Sequence, residues 1–135
     1  MKRAVIFTSK FGTTRKTAEY IANALEADIF DLKKKVPSLN DYDMIIFGSG
    51  IYFGKMPKSM RTFATEHSQE LSEKQTAVFV CCMFDGEKAD AQMPLVKESM
   101  KDPVVCMYLS GKQKGEPGIN VEAADRFIKE IEDLN

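Results

Sequence analysis

The chain has 135 residues, of which 44% are hydrophobic and 29% are charged, and its formal net charge is −1. This length is typical of one domain, spanning 1–135, that can bury a core, and the composition is typical of a soluble globular protein. The near-neutral charge gives no electrostatic reason to expect a nucleic-acid or membrane partner. No apolar stretch has a transmembrane length, and Met1 leads directly into a strand-like run, so we expect a cytoplasmic protein without stable membrane insertion.

The first half of the chain alternates between strand and helix patterns. An opening apolar run predicts a strand, and apolar residues at helical spacing then predict a helix. A short alternating segment and a continuously apolar segment predict two further strands, of which the second is buried on both faces. Pro57 is well placed to open the next helix. The predicted bounds are 2–8, 15–27, 28–32, 43–49 and about 57–67.

The second half continues this alternation. Strands are predicted at 76–83 and 103–109, and between them 87–100 is one helix or two short pieces, because Pro94 interrupts the pattern. Asn120 is predicted to cap a final helix. Five strands alternating with helices indicate a parallel sheet covered on both faces, with a ligand at the carboxyl ends of the strands where the winding reverses. The apolar stripe of the final helix comprises Val121, Ala124, Phe127, Ile128, Ile131 and Leu134.

The loop after the first strand has the pattern of a phosphate site. Hydroxyl residues surround a single glycine, and a helix begins at once, so donors and a positive helix end converge. With one glycine, the loop lacks both the dinucleotide fingerprint and the ATP-binding pattern, whereas a phosphate monoester such as that of FMN suits it. The alternative is an ordinary turn in which Thr13 or Thr14 caps the helix. The candidate residues are Thr8, Ser9, Lys10, Phe11, Gly12, Thr13 and Thr14.

Two later loops combine aromatic residues with glycines. In the loop after the third strand, Tyr52 or Phe53 either folds back onto the core or stacks on a flat ring system. The loop after the fourth strand repeats this theme with Phe84. The candidate residues are Ser49, Gly50, Ile51, Tyr52, Phe53 and Gly54 in the earlier loop, and Cys82, Met83, Phe84, Asp85 and Gly86 in the later one.

Other reactive residues have simpler interpretations. Cys81, Cys82 and Cys106 show no spaced ligand pattern, and His67 is the single histidine, so we expect free core thiols and no metal site. Cys81 and Cys106 are expected in central strands, and His67 in the last turn of its helix. None of these residues is expected to be catalytic. The run Lys33-Lys34-Lys35 is typical of a solvated connection.

From end to end the chain resembles the flavodoxin superfamily. The run Ser9-Lys10-Phe11-Gly12-Thr13-Thr14 is similar to its phosphate-loop pattern. The segment from Ile45 to Gly54 resembles the branch that contains the oxygen-independent, menaquinone-dependent protoporphyrinogen oxidases, as does the segment from Phe11 to Ala18. The resemblance implies a flavodoxin-like three-layer sandwich, in which a five-stranded parallel sheet has the order 2-1-3-4-5 and helices cover both faces, with FMN held by the three loops.

Two departures from the family pattern affect the functional interpretation. Phe11 stands where flavodoxins usually have a hydroxyl. The protoporphyrinogen oxidase branch normally has a long insert between the fifth strand and the last helix, which the resemblance links to quinone or porphyrin handling. In this chain only residues 110–118 stand in its place, which weakens the enzyme interpretation. The resemblance therefore implies an electron carrier with transient redox protein partners, as a monomer or weak dimer. The alternatives are an FMN-dependent oxidoreductase acting on a quinone or protoporphyrinogen, and a flavin-free interaction module. Either Gly50 or Gly54 is expected to reorient its peptide near the flavin, and the resemblance does not decide between them.

Overall fold

The computed structural model describes residues 2–9, 13–34, 38–50, 56–82, 86–100, 103–110 and 120–134. Within these ranges strands and helices alternate along the chain. The strands are β1 (Arg3–Phe7), β2 (Asp28–Asp31), β3 (Met44–Gly50), β4 (Gln75–Cys82) and β5 (Val105–Ser110). The helices are α1 (Thr13–Leu25), α2 (Lys58–Glu66), α3 (Ser68–Ser72), α4 (Gly86–Ser99) and α5 (Val121–Glu132), and a 3₁₀ turn spans Leu39–Asp41.

The five strands form one sheet in the order β2-β1-β3-β4-β5, and every neighbouring pair is parallel. This order confirms the predicted fold class. The continuously apolar β1 and β3 lie inside the sheet, as expected for strands that are covered on both faces. The winding of the chain reverses between β1 and β3, which makes the carboxyl ends of these two strands the switch point of the sheet.

Two hydrophobic cores hold the three layers together. On one face α1 and α5 pack against the sheet, and the rings of Phe79 and Phe127 meet edge to face with centroids 5.5 Å apart. On the other face α2, α3 and α4 pack, and the rings of Phe47 and Phe63 meet similarly at 6.0 Å. Because neighbouring residues of a strand point to opposite faces, β1, β3, β4 and β5 contribute to both cores, whereas the edge strand β2 contributes Phe30 to the second core only.

The predicted bounds lie within two residues of the observed ones, and the end of α1 shows why they differ. The helix was predicted to reach Ala27 but ends at Leu25. Glu26 adopts the left-handed conformation with φ of 53°, and the Ala27 amide donates to the Ala22 carbonyl at 2.8 Å. This hydrogen bond closes the helix in the manner usually provided by glycine. Since Glu26 is not a glycine, the usual sequence signal for the end of a helix is missing there.

The last helix confirms most of its predicted stripe. Asn120 caps α5, because its side-chain oxygen accepts from the Ala123 amide at 3.1 Å. Val121 was predicted to be in the stripe, but its side chain is 43% exposed, since packing of this helix begins at Ala123 and Ala124. Leu134 packs against the core at its edge.

The structure decides one open alternative and corrects two expectations. α4 passes through Pro94 as one helix, so one helix rather than two short pieces is confirmed. The short helix α3 was not predicted, and His67 lies between α2 and α3 rather than in the last turn of a helix. Cys106 lies in β5, an edge strand, and not in a central one. Among the described helices, none combines the length and apolar character needed to cross a membrane.

Candidate functional site

The carboxyl ends of β1, β3 and β4 lie side by side at the switch point. Phe7 of β1 is paired with Gly48 of β3, which is paired in turn with Phe79 of β4. Beyond the end of β1, the Thr8 amide donates to the Gly48 carbonyl at 3.0 Å. The three predicted site loops therefore leave the sheet from adjacent strands, at the edge where sheets of this topology bind ligands.

The predicted site residues fall into three groups in the structure. Those outside the described residues, whose roles stay predictions, are Lys10, Phe11, Gly12, Ile51, Tyr52, Phe53, Gly54, Met83, Phe84 and Asp85. Those described by their backbone are Thr13, Cys82 and Gly86, which lie in α1, β4 and α4. Those described in full are Thr8, Ser9, Thr14, Ser49 and Gly50.

The start of α1 has the properties of an anion-binding helix end. The helix begins at Thr13, so Thr14 lies inside its first turn, and the alternative in which Thr13 or Thr14 is the N-cap is not what the structure shows. Thr14 is 4% exposed although it follows a loop. The first turn contains no acidic residue. An anion there would meet the positive end of the helix dipole without an opposing carboxylate from that turn.

A contact between α1 and β4 fixes the helix over the strand ends. The Cys81 sulfur lies 3.8 Å from the Thr17 hydroxyl oxygen, and Thr17 is buried. Cys81 is also paired with Gly50 at the end of β3. The second turn of α1 is thus tied to the end of β4, which keeps the helix start near the point where the loops leave the sheet.

Gly48 is required by the packing of its neighbour strand. A Cβ atom at this position would lie 2.1 Å from the Cζ atom of Phe79, far inside van der Waals contact. The Phe79 ring therefore occupies the space above Gly48 and fills the core beneath α5. This glycine serves close packing in the sheet next to the site.

The Ser49 hydroxyl is engaged inside the protein, and the cofactor-binding role of this residue stays a prediction. The residue is fully buried, and its hydroxyl oxygen lies 2.9 Å from the Gly50 carbonyl oxygen and 3.3 Å from the Met56 sulfur. Both partners belong to the chain on either side of the second site loop. The Ser49 side chain therefore braces the exit of β3.

A polar cluster beside the first loop was missed by the sequence analysis. One oxygen of the Asp31 carboxylate accepts from an Arg15 guanidinium nitrogen at 2.8 Å, and the other accepts from the Lys33 amide at 3.0 Å. The Lys33 ammonium donates to the Ser9 carbonyl at 3.0 Å. Lys33 is exposed, as predicted for a residue of a solvated connection, but it also contacts the first site loop at Ser9. The usable signal was the parallel pairing of β1 with β2, which brings the end of β2 beside Ser9.

The Cys106 thiol is largely buried, and the His67 ring packs against neighbouring side chains. Burial raises the pKa of the Cys106 thiol to about 11, against a smaller opposing effect of the Lys97 charge, so this thiol is protonated at neutral pH. The His67 ring packs on Phe63 with centroids 4.3 Å apart, and its Nδ1 atom lies 3.1 Å from a Glu70 oxygen. In the described part of the chain, no group of three histidine, cysteine or acidic residues could hold a metal ion.

Comparison with protein families identifies this arrangement. Residues 4–116 match the model of the flavodoxin domain. The chain belongs to the flavodoxin-domain family. The matched range includes the three site loops and all five strands except the first residue of β1, Arg3, so the candidate site of this flavodoxin-domain protein lies within the family match.

Curated relatives match more than half of the sequence of this flavodoxin-domain protein. An uncharacterized protein of Methanocaldococcus jannaschii is 40% identical over 86 residues, which cover 62% of this chain and 56% of that protein. The quinone-type protoporphyrinogen IX dehydrogenase of Escherichia coli K12 is 26% identical over 85 residues, covering 58% of this chain and 47% of the enzyme. The matched segment thus spans about half the length of these relatives.

Solved structures show the same fold. A flavodoxin from the domain Archaea has a TM-score of 0.65 and 23% identity, covering 99% of this chain and 98% of that one. A flavoprotein of Lactobacillus acidophilus, solved in complex with FMN, has a TM-score of 0.62 and 15% identity, covering 80% of this chain and 93% of that one. At these identities the likeness concerns the fold of the flavodoxin domain.

Proposed function

We propose that residues 1–135 act as one flavodoxin-like domain that binds FMN and carries electrons between reductases and acceptors. The observation that carries this proposal is the start of α1 at the switch point. There a buried Thr14 lies in a helix turn without acidic residues, next to the adjoining ends of β1, β3 and β4. The likeness to a flavoprotein solved with FMN supports the choice of cofactor.

The residues of the first loop fit a phosphate monoester. A phosphate group carries up to two negative charges and accepts several hydrogen bonds, and hydroxyl groups and backbone amides at a helix start supply such donors. In this proposal Thr14 and Ser9 donate to the phosphate, with Thr8, Lys10, Phe11, Gly12 and Thr13 forming the rest of the loop. The absence of a carboxylate from the first turn of α1 favours a dianion at this position.

The second and third loops are proposed to hold the flavin ring. The FMN ring, when bound, supplies the electron chemistry, and the protein sets its orientation and surroundings. Tyr52 or Phe53 covers one side of the ring, and Phe84 the other, with Ile51, Met83, Asp85, Cys82 and Gly86 beside them. Gly50 or Gly54 provides backbone that can change its peptide orientation. The Ser49 hydroxyl donates to the Gly50 carbonyl, so a change at the Gly50 peptide would have to break this hydrogen bond.

A second candidate function follows from the curated relatives. The 26% identity to a protoporphyrinogen IX dehydrogenase favours an FMN-dependent oxidoreductase that acts on a quinone or a protoporphyrinogen. Since the match spans 47% of that enzyme, activity of this kind is the less supported proposal. A flavin-free interaction module is the remaining alternative, and the cofactor test below separates it from both.

The cofactor is tested directly on the purified protein. Mass spectrometry of the small molecules released by denaturation should show FMN, because one loop of this kind accommodates one phosphate. The apoprotein should then take up FMN more tightly than riboflavin, which lacks the phosphate. Recovery of FAD alone would contradict the phosphate-loop assignment. Failure of the apoprotein to bind any flavin would favour the interaction module.

The role is tested by stepwise reduction. An electron carrier should take up two electrons in two resolved one-electron steps, and it should be oxidised rapidly by redox proteins rather than by small substrates. Turnover of a menaquinone or of protoporphyrinogen by the purified protein would favour the oxidoreductase instead. Removal of the stacking ring, by Tyr52→Ala or Phe53→Ala, should weaken FMN binding in one of the two variants.

The proposal also concerns location and partners. We place the protein in the cytoplasm, where free thiols such as Cys81 and Cys106 persist in reduced form. Its partners are redox proteins that dock transiently, and it acts as a monomer or weak dimer. Size-exclusion chromatography with light scattering at low and high protein concentration tests the oligomeric state.

A further inference from the structure

The turn after β2 is connected to the chain on both sides of the first site loop. At the start of the loop, the Ser9 carbonyl accepts from the Lys33 ammonium at 3.0 Å. After the loop, Arg15 in the first turn of α1 is paired with Asp31 at 2.8 Å. Asp31 also accepts from the Lys33 amide at 3.0 Å, which links the two attachments through one carboxylate.

These attachments have supporting contacts. The Asp31 side chain is 12% exposed, so its pairing with Arg15 is shielded from solvent more than an ordinary surface ion pair. The Arg15 guanidinium lies 5.1 Å from the centroid of the Phe7 ring, at the end of β1. The Leu32 amide donates to the Phe7 carbonyl at 2.8 Å, and the Lys34 amide donates to the Asp31 carbonyl at 2.9 Å. The turn that carries Lys33 is therefore itself fixed to β1.

We infer that Lys33, held by Asp31, is a positioning residue that orients the first site loop for a phosphate monoester. This inference rests on the proposed FMN function. The Lys33 contact with Ser9 and the Arg15–Asp31 pair hold the two described ends of the loop, and Asp31 links both contacts. Loss of the Lys33 ammonium would release the Ser9 end while the Arg15 end stays attached. The Lys33 charge adds a favourable field for the dianion.

The test compares two neighbouring lysines and two ligands. Lys33→Met removes the ammonium donor, whereas Lys34→Met removes an equal charge from the exposed neighbour and leaves the contact with Ser9 intact. Dissociation constants are measured for FMN and for riboflavin. We expect Lys33→Met to weaken FMN binding about three- to tenfold, the factor that corresponds to loss of one hydrogen bond. Riboflavin binding should be unchanged, and Lys33→Arg should restore much of the FMN affinity.

Two results would overturn the inference while leaving the FMN function in place. One is an equal loss of FMN affinity in Lys33→Met and Lys34→Met, which would show a general effect of charge. The other is an equal loss of FMN and riboflavin affinity in Lys33→Met, which would show a general effect on folding.

A readout without ligand separates this inference from the proposed function. In the apoprotein, amide hydrogen exchange in a peptide covering Ser9 should be faster in Lys33→Met than in Lys34→Met. Equal exchange would overturn the positioning role. If the wild-type protein binds no flavin, the proposed function fails, and the role of Lys33 in a phosphate site fails with it. The exchange measurement then still reports whether Lys33 orders Ser9.

Discussion

Thr14 is buried although it belongs to the first turn of a helix that follows a loop. A buried hydroxyl retains a strong need for hydrogen-bond partners, since leaving it unpaired costs about 1–3 kcal/mol. At the start of a helix the backbone amides are unpaired donors, so a hydroxyl there can donate to the same acceptor as these amides. This position makes Thr14 the residue most suited to test the phosphate assignment.

Replacing Thr14 tests that assignment. Thr14→Ala should weaken FMN binding by about 1–3 kcal/mol, because a charged acceptor loses a donor. Thr14→Ser keeps the hydroxyl and should retain most of the affinity. Thr65→Ala, at an exposed threonine of α2, is the matched control and should have no effect. Fluorescence titration of the apoprotein with FMN measures all three, and unchanged affinity in Thr14→Ala would place the phosphate elsewhere.

At the scale of elements, the contact between β3 and β4 fixes the packing of the two strands that lead into the second and third site loops. Gly48 and Phe79 are paired across these strands, and the ring of Phe79 lies over Gly48. The same ring contacts Phe127 of α5, so one side chain joins two strands and a helix. The size of residue 48 therefore affects the sheet, the helix and the exit of β3 together.

A double-mutant cycle measures this contact. Gly48→Ala should lower the free energy of unfolding by about 1–3 kcal/mol, because the added methyl group overlaps the Phe79 ring. In a Phe79→Leu background the same substitution should cost clearly less, since the smaller side chain can move aside. Urea unfolding of the four proteins gives the coupling. An equal cost of Gly48→Ala in both backgrounds would mean that the overlap is relieved by other movements.

For the whole molecule, the amino-terminal edge of the sheet is held together by polar contacts around Tyr42. The Tyr42 hydroxyl donates to Asp28 at the start of β2 at 2.7 Å, and the Lys74 ammonium donates to the Tyr42 carbonyl at 2.6 Å. The Lys2 ammonium lies 5.1 Å from the centroid of the ring. Segments distant in sequence are therefore joined at the edge opposite the candidate site.

This cluster predicts a pH dependence of stability. Burial and the hydrogen bond to Asp28 raise the pKa of Tyr42 from 10.0 to about 12. Because the folded state favours the neutral phenol, this contribution to the free energy of unfolding is complete below pH 10 and is lost as the pH rises through about 12. Tyr42→Phe should lower stability near neutral pH by about 0.5–1.5 kcal/mol, through loss of one hydrogen bond.

The difference between wild type and Tyr42→Phe should shrink as the pH rises above 10, measured by urea unfolding at a series of alkaline pH values. Tyr20→Phe is the control. The Tyr20 hydroxyl also donates to a carboxylate, that of Asp125, at 2.6 Å, and this hydrogen bond raises the pKa of Tyr20. Tyr20 is less buried than Tyr42, so the control should change the alkaline slope less. A difference that stays constant with pH would contradict the role of Tyr42.

The sequence by itself determined the order and type of the main elements, because hydrophobic periodicity and turn residues act locally along the chain. It also predicted the Asn120 cap and the positions of the three loops. The flavodoxin resemblance implied the observed strand order and agreed with the family match. Local signals were insufficient where a residue's role depends on a partner far along the chain. An example is Gly48, which leaves room for the ring of Phe79 on the neighbouring strand.

Tertiary structure alone decided which polar groups meet at the candidate site. Ser49 and Lys33 show this. The Ser49 hydroxyl is engaged with Gly50 and Met56, while a cofactor-binding role of this residue stays a prediction, and Lys33, which was expected to be solvated, reaches Ser9. Both outcomes depend on which strands are neighbours and on how their ends are aligned. Hydrogen bonds require partners within about 3 Å, and the sequence specifies such proximity only after the sheet has brought distant segments together.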